Sequence, residues 1–156
     1  MRKTASKPID LDRLPGYYIR RLQQIAVAIF LQETEAFGVT PVQFAALQAV
    51  HNTPGVDQRT LARTIGFDTS TTAGVIDRLE ARGLLQRNAS AEDRRVRLLT
   101  LTDDGAALLA QVVPAMLRAQ VRMLEPLNPA ERAEFMRLLQ LLVTANNELS
   151  RAPSEN

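Results

Sequence analysis

Four consecutive hydroxyl-bearing residues open one amphipathic stretch of the chain: Thr69, Ser70, Thr71 and Thr72. Short hydroxyl side chains can hydrogen-bond phosphate oxygens or base edges, and they let the backbone come close to a duplex. Arg78 lies further along the same predicted helix, from where its guanidinium can reach a phosphate or a guanine. Capping a helix needs only one or two hydroxyls, so a run of four favours contact with the major groove of DNA over capping alone.

One acidic and two basic residues stand together at the tip of a predicted hairpin: Asp93, Arg94 and Arg95. A guanidinium at such a tip can enter a narrow minor groove, where the electrostatic potential is most negative. Asp93 could hold Arg95 in place by a charge-assisted hydrogen bond across the hairpin. A solvated charged turn would have the same composition, and only the position of the motif directly after a helix-turn-helix favours the DNA-binding interpretation.

Caps and turn residues predict the elements that position these side chains. Asp57 caps one short helix and Asp68 caps the next. Two short strands are predicted over residues 84–87 and 95–101, with a polar loop over 88–94. Two helices that meet at a tight turn, followed by a hairpin, are typical of a winged helix-turn-helix.

Long apolar helices flank this unit. The first is predicted from Tyr17 to about Phe37, and capping boxes at Thr40-Pro41-Val42-Gln43 and Asn128-Pro129-Ala130-Glu131 predict two further starts. Their apolar stripes are broad enough to favour a homodimer, although a monomeric bundle would also bury them.

The fold class is therefore mainly α with a small β wing. The predicted parts are a flexible arm over 1–12, a dimerisation helix over 13–38, a winged helix-turn-helix lobe over 40–101, C-terminal dimerisation helices over 102–150 and a disordered tail over 151–156.

Composition narrows the function classes. The chain has no cysteine and one histidine, so a disulfide framework, a thiol redox switch and a multi-histidine metal centre are not expected. No stretch reaches about 18 apolar residues and the N-terminus lacks an apolar leader, so we expect no membrane partner and a cytoplasmic location. An enzyme is the least favoured class, because there is no glycine-rich phosphate loop and no recognisable carboxylate pair.

The segment over residues 57–105 resembles the MarR family of bacterial transcription regulators. The matching motifs are Leu61-Ala62, Asp77-Arg78-Leu79-Glu80 with Gly83-Leu84, Asp93-Arg94-Arg95, and Leu101-Thr102-x-x-Gly105. The order of the flanking helices fits as well, so the resemblance extends from about Leu14 to Leu149. It implies an intertwined homodimer on a pseudo-palindromic operator, with Arg95 in the minor groove. Ala73-Gly74 departs from relatives that carry a base-contacting arginine there, so base contact would rest more on Ser70 to Thr72 and on Arg78.

The same resemblance implies that a small phenol or aromatic carboxylate releases the DNA. The candidate pocket residues lie on two helices: Tyr17, Tyr18, Arg20, Arg21, Phe44, Leu47 and His51. A cation, an imidazole and apolar walls would suit an aromatic acid. A lone histidine on an apolar face is more often a core or interface residue, and Arg21 could instead pair with an acid of a second subunit. Periodicity leaves open whether Arg20 or Arg21 faces the pocket.

These patterns predict a ligand-responsive repressor that binds double-stranded DNA as a homodimer and responds to an aromatic acid, with no cofactor and no metal. Activation remains open as well as repression. The alternative is a winged-helix architectural or protein-interaction module without an effector.

Overall fold

The computed structural model describes residues 8–150 and residue 152 of the chain. Within them six α-helices and the two strands of the wing follow the predicted order, and one further short strand is present. The helices are α1 (Pro15–Thr34), α2 (Pro41–Asn52), α3 (Gln58–Ile65), α4 (Thr69–Ala81), α5 (Asp103–Met123) and α6 (Pro129–Ala145). The strands are β1 (Val56–Asp57), β2 (Leu85–Ala89) and β3 (Arg97–Leu101).

The structure describes only part of the predicted N-terminal arm and C-terminal tail. The looseness expected of residues 1–7 and the disorder expected of 151 and 153–156 lie outside the described residues. Within the predicted arm, Leu11–Arg13 form a single 3-10 turn. The carboxylate of Asp10 caps this turn by accepting the N–H of Asp12 at 3.2 Å.

Reciprocal capping boxes begin α2 and α6, as predicted. The Oγ1 of Thr40 accepts the N–H of Gln43 at 3.2 Å, and the Oε1 of Gln43 accepts the N–H of Thr40 at 3.1 Å. Asn128 and Glu131 make the same exchange at 3.0 and 2.9 Å. Each box satisfies two backbone donors that the first helical turn would leave without partners.

The first helix is shorter at its C-terminal end than its periodicity predicted. It ends at Thr34, and Glu35–Phe37 form a 3-10 turn instead of continuing the helix to Phe37. The hydroxyl of the buried Thr34 donates to the carbonyl of Phe30 at 2.8 Å. Gly38 then adopts the left-handed conformation with φ of 61° and turns the chain into α2.

The sheet joins the start of α3 to the hairpin of the wing. Its order is β1-β3-β2, and both pairings are antiparallel. The two-residue strand β1 was not predicted. β2 extends to Ala89 and β3 begins only at Arg97, so Arg95 lies in the connecting turn instead of in a strand. The largest side chains buried beneath this sheet and α2–α4 are Leu47, Leu61, Ile76, Leu79, Leu85 and Leu99.

The flanking helices pack unequally. α1 packs along α5, and a second small core forms there around Phe30 and Val112. α6, by contrast, contributes no buried residue. Six large apolar side chains of α6 are 37% to 66% exposed: Met136, Leu138, Leu139, Leu141, Leu142 and Val143. An apolar helix in this state has a face left without a partner.

In the described part of the chain no single helix is long and apolar enough to cross a membrane. Only the bent pair Pro15–Phe37 and Pro41–Asn52, with 69° between its halves, meets that test by length and composition.

A close backbone contact joins the end of α4 to the start of α5. The Oγ1 of Thr102 accepts the N–H of Gly105 at 3.0 Å and donates to the carbonyl of Gly83 at 2.6 Å. The N–H of Thr102 donates to the carbonyl of Leu84 at 3.2 Å. A Cβ on Gly105 would lie 1.9 Å from that same carbonyl oxygen, so only glycine fits. These contacts explain the Leu-Thr-x-x-Gly motif physically.

We expect Gly105→Ala to destabilise the protein strongly, because the new methyl group overlaps backbone that cannot rotate away. The cost should be about 3 kcal/mol, which corresponds to a fall in Tm on the order of 10 °C, measured by thermal unfolding. Gly74→Ala is the matched control, since its Cβ would meet no heavy atom within 4 Å and a helix-interior alanine should gain about 0.5 kcal/mol. Equal melting temperatures for the two variants would contradict the close contact.

Candidate nucleic-acid interface

The cap of α4 occupies two of the four hydroxyl residues. The carboxylate of Asp68 accepts the N–H of Thr71 at 2.7 Å and its hydroxyl at 2.8 Å. The hydroxyl of Thr72 donates to the carbonyl of Asp68 at 2.8 Å, and the Thr72 side chain is fully buried. Thr72 therefore has a structural role, which corrects the expectation that it faces DNA.

The remaining hydroxyls and Arg78 lie on the exposed side of α4. Thr69 and Ser70 are exposed at its first turn, and Thr71 is exposed although its hydroxyl also serves the cap. Arg78 is exposed and forms no ion pair with any residue that the structure describes. Donors and acceptors of the kind that contact phosphates and base edges thus share one surface.

Arg87 links the recognition helix α4 to the wing. Its guanidinium donates to Asp77 at 2.5 Å and to the Oε1 of Glu80 at 3.1 Å, while its backbone N–H donates to the Oε2 of Glu80 at 3.2 Å. The hydrogen bond from Arg87 lowers the pKa of Glu80 below its ordinary value, and the same contacts raise the pKa of Arg87. The sequence patterns did not predict this link, although Asp77 and Glu80 lie three residues apart, on one face of the predicted helix.

The wing tip is a turn that Asp93 shapes. The Oδ1 of Asp93 accepts the backbone N–H of Arg95 at 2.9 Å, and its carbonyl accepts the N–H of Val96 at 3.0 Å. Asp93 therefore positions Arg95 through the main chain, not through the guanidinium as the sequence suggested. The side chains of Arg94 and Arg95 are exposed.

The seven candidate effector residues do not form one site. A cleft of about 630 Å³ lies between α1 and α6, and Tyr18 and Arg21 are the candidates that line it. Leu47 is buried in the core of the lobe, Phe44 packs against Phe30 at 6.0 Å between ring centroids, and His51 is exposed at the end of α2. None of these three α2 residues lines the cleft between α1 and α6, and Leu47 is a core residue instead of a pocket residue. The residues lining the cleft are Pro15, Tyr18, Ile19, Arg21, Leu22, Ile25, Phe135, Leu138, Leu139 and Leu142.

Tyr17 organises the basic end of this cleft. Its hydroxyl accepts a hydrogen bond from the Nη1 of Arg21 at 3.0 Å. The guanidinium carbons of Arg20 and Arg21 lie 5.7 and 5.5 Å from the centroid of its ring, and Tyr18 meets it edge-on at 5.3 Å. Of the two arginines, only Arg21 lines the cleft.

Known proteins match both the lobe and the whole chain. A model described as MarR family matches residues 37–96. The putative transcriptional regulatory protein for the hcr operon of Thauera aromatica is 33% identical over 95% of this chain and 96% of its own length. The chain belongs to the MarR family.

Solved structures of MarR-family regulators agree with this fold over nearly their full length. BpsR of Bordetella bronchiseptica is 34% identical, with a TM-score of 0.83 over 87% of this chain and 97% of its own length. Its DNA binding is regulated by 6-hydroxynicotinic acid. The transcriptional repressor CouR, solved on a 23-mer DNA duplex, is 31% identical, with a TM-score of 0.81 over 88% of this chain and 99% of its own. This MarR-family protein is therefore a transcriptional regulator with a winged-helix fold.

We expect the link between Glu80 and Arg87 to stabilise the MarR-family lobe in a pH-dependent way. A carboxyl whose folded-state pKa is lowered stabilises the protein above its unfolded pKa, and this stabilisation is lost as pH falls through the folded pKa. The Glu80 and Arg87 side chains are 40% and 27% exposed, so Glu80→Gln should cost only about 0.5 kcal/mol at neutral pH. Urea unfolding at a series of pH values measures this loss of unfolding free energy. The loss should shrink as the pH falls below 4.5, the ordinary pKa of a glutamate side chain.

Glu92→Gln provides the control for this measurement, because Glu92 is an exposed carboxylate in the wing loop that forms no ion pair with the described residues. Its free energy of unfolding should follow that of the parent across the series. A cost of Glu80→Gln that stays constant down to about pH 3 would show that the charge of Glu80 does not contribute.

Proposed function

We propose that this protein is a homodimeric repressor that binds a pseudo-palindromic operator and leaves it when a small aromatic acid or phenol binds. The observation that carries the proposal is the concentration of unpaired arginines and exposed hydroxyls on one surface of the winged lobe. Other arginines of the described chain are engaged: Arg87, Arg118, Arg122 and Arg137 pair with carboxylates. On this proposal the protein works in the cytoplasm, where a bacterial chromosome lies.

DNA contact follows from the two elements of the lobe. α4 would enter the major groove with Thr69, Ser70 and Thr71 at its leading end, and Arg78 would reach a phosphate or a guanine. The wing would place Arg95 in the adjacent minor groove and Arg94 near the backbone, on the turn that Asp93 shapes. CouR, which shares this fold, is solved on a duplex and supports the assignment.

A second copy of the chain would cover the apolar side of α6. Leu141 and Val143, which do not line the cleft between α1 and α6, are 55% and 66% exposed in the single chain. At about 25 cal/mol per Å² of apolar surface removed from water, burial of such a face drives association. A two-fold dimer would also place two wings on the two halves of a palindrome.

The cleft between α1 and α6 is the proposed effector site. Its walls are apolar, and Arg21 supplies a cation at one end, with its orientation fixed by the hydroxyl of Tyr17. An aromatic ring suits such walls and a carboxylate suits the guanidinium. BpsR, regulated by 6-hydroxynicotinic acid, supports a ligand of this class.

Release of DNA requires only a difference in affinity between two dimer geometries. The two lobes must lie about one helical turn apart, roughly 34–36 Å, to use successive major grooves. A ligand that binds better when α1, α6 and the partner subunit set another spacing would weaken DNA binding by a coupling free energy of about 1–3 kcal/mol.

The DNA-binding proposal predicts that Arg95→Ala weakens binding to a duplex from the promoter region beside its own gene by about tenfold or more, because a charge-assisted contact is lost. Fluorescence anisotropy at fixed salt measures this. Arg137→Ala removes the same charge outside the lobe and should bind like the parent. Sedimentation should give twice 17.3 kDa for all three proteins. Unchanged affinity in Arg95→Ala would refute the wing assignment and favour an interaction module.

The effector proposal predicts that calorimetry detects binding of at least one hydroxybenzoate, hydroxycinnamate or hydroxynicotinate, with release of the same duplex. Arg21→Ala should weaken that binding by about 10- to 100-fold, the loss expected for a hydrogen bond to a charged group. Arg20→Ala is the matched control, since Arg20 also lies over Tyr17 but does not line the cleft. Equal losses in the two variants would remove Arg21 as the carboxylate ligand.

A further inference from the structure

A small basic cleft lies at the base of the wing, between the start of α3 and the start of β3. It has a volume of about 290 Å³ and is lined by Asp57, Gln58, Arg59, Arg95, Val96 and Arg97. Of these residues only Arg95 belongs to a DNA-binding motif predicted from the sequence. The cleft exists because β1 pairs with β3, with Val56 opposite Leu99, which brings the first turn of α3 beside the start of β3.

The charges of this cleft are not neutralised from within. Arg59, Arg95 and Arg97 are exposed, and none forms an ion pair with the residues from 8 to 150 or with residue 152. The one carboxylate in the lining, Asp57, is used elsewhere: its Oδ1 accepts the N–H of Thr60 at 2.9 Å and its Oδ2 accepts the Thr60 hydroxyl at 2.8 Å. Three guanidinium groups against one carboxylate leave the lining with a net charge of +2.

We propose that Arg59 and Arg97 clamp a backbone phosphate of duplex DNA at the root of the wing. The inference rests on the proposed function, and it adds a subsite that reads no base. In helix-turn-helix proteins the helix before the recognition helix crosses the DNA backbone, and here that helix is α3, which carries Arg59. The planar fork of a guanidinium matches phosphate oxygens, and two forks from different elements can bracket one phosphate.

The clamp explains how the wing can be held while its tip reads the groove. Arg95 lies in the turn at the tip of the wing and also lines the cleft. With the phosphate fixed by Arg59 and Arg97, the guanidinium of Arg95 is left to extend into the minor groove. Phosphate contacts fix register and orientation but carry no sequence information, so Arg59 and Arg97 should contribute equally on operator and unrelated DNA.

Salt dependence tests the clamp directly. Each phosphate contact contributes about −0.9 to the slope of log K against log salt. Because both guanidinium groups hold the same phosphate, Arg59→Gln and Arg97→Gln should each make the slope shallower by at most about 1, and the double variant should lose no more than about 1 in total. Each single variant should weaken binding by a similar factor on the promoter duplex and on a scrambled duplex of equal length. Arg97→Lys keeps the charge and should keep the slope. Fluorescence anisotropy between about 50 and 200 mM salt provides the measurement.

Arg63→Gln is the matched control, because Arg63 lies one turn along α3, outside the cleft, with its Nη2 3.5 Å from the Thr60 hydroxyl. Its slope should equal that of the parent. Slopes of Arg59→Gln and Arg97→Gln that match those of the parent and Arg63→Gln would overturn the clamp. If the parent bound both duplexes equally, the operator proposal would fail while the slopes still measured the clamp, so the two failures are distinguishable.

Discussion

The contact of Gly105 with the carbonyl of Leu84 is the constraint on which the rest of the molecule depends. It lets the first turn of α5 lie directly against the end of the recognition helix, with Thr102 bridging Gly83 and Gly105. α5 then packs along α1. The orientation of the recognition helix is therefore fixed relative to α1, which carries one wall of the cleft. A side chain at position 105 would separate the two.

A second set of hydrogen bonds connects the recognition helix to the corner between α1 and α2. Arg82, at the C-terminal end of α4, donates to the carbonyls of Gly38 and Phe37 at 2.9 and 3.4 Å. These carbonyls belong to the corner between α1 and α2. The recognition helix is thus anchored both to the start of α5 and to the end of α1. A change in the packing of α1 against α5 must either move the lobe as a unit or break one of these ties, and tightly packed lobes move as units.

Local rules predicted most of the fold and only part of the site. Caps such as Thr40 with Gln43 act within one helical turn, so the sequence carries the whole signal. Thr72 is buried because it shares a face of α4 with Val75, Ile76 and Leu79, and its hydroxyl is satisfied by the carbonyl of Asp68. A run of four hydroxyl residues does not reveal which one faces the core. The position of the α2 candidates outside the cleft between α1 and α6 has a longer-range reason. The spacing of Leu47 and His51 places them on one face of α2. Which element packs against that face depends on residues distant in the sequence, and Leu47 packs into the core of the lobe.

The arginines show why residue counts predict so little about electrostatics. The formal net charge is only +2, which suggests no strong field. Yet Arg87 pairs with Asp77 and Glu80, and Arg137 pairs with Glu134, so the charges of these two arginines are compensated where they lie. What remains unpaired concentrates on the lobe. A nearly neutral protein can therefore present a locally basic surface, because burying or pairing a charge elsewhere removes it from the field that DNA meets.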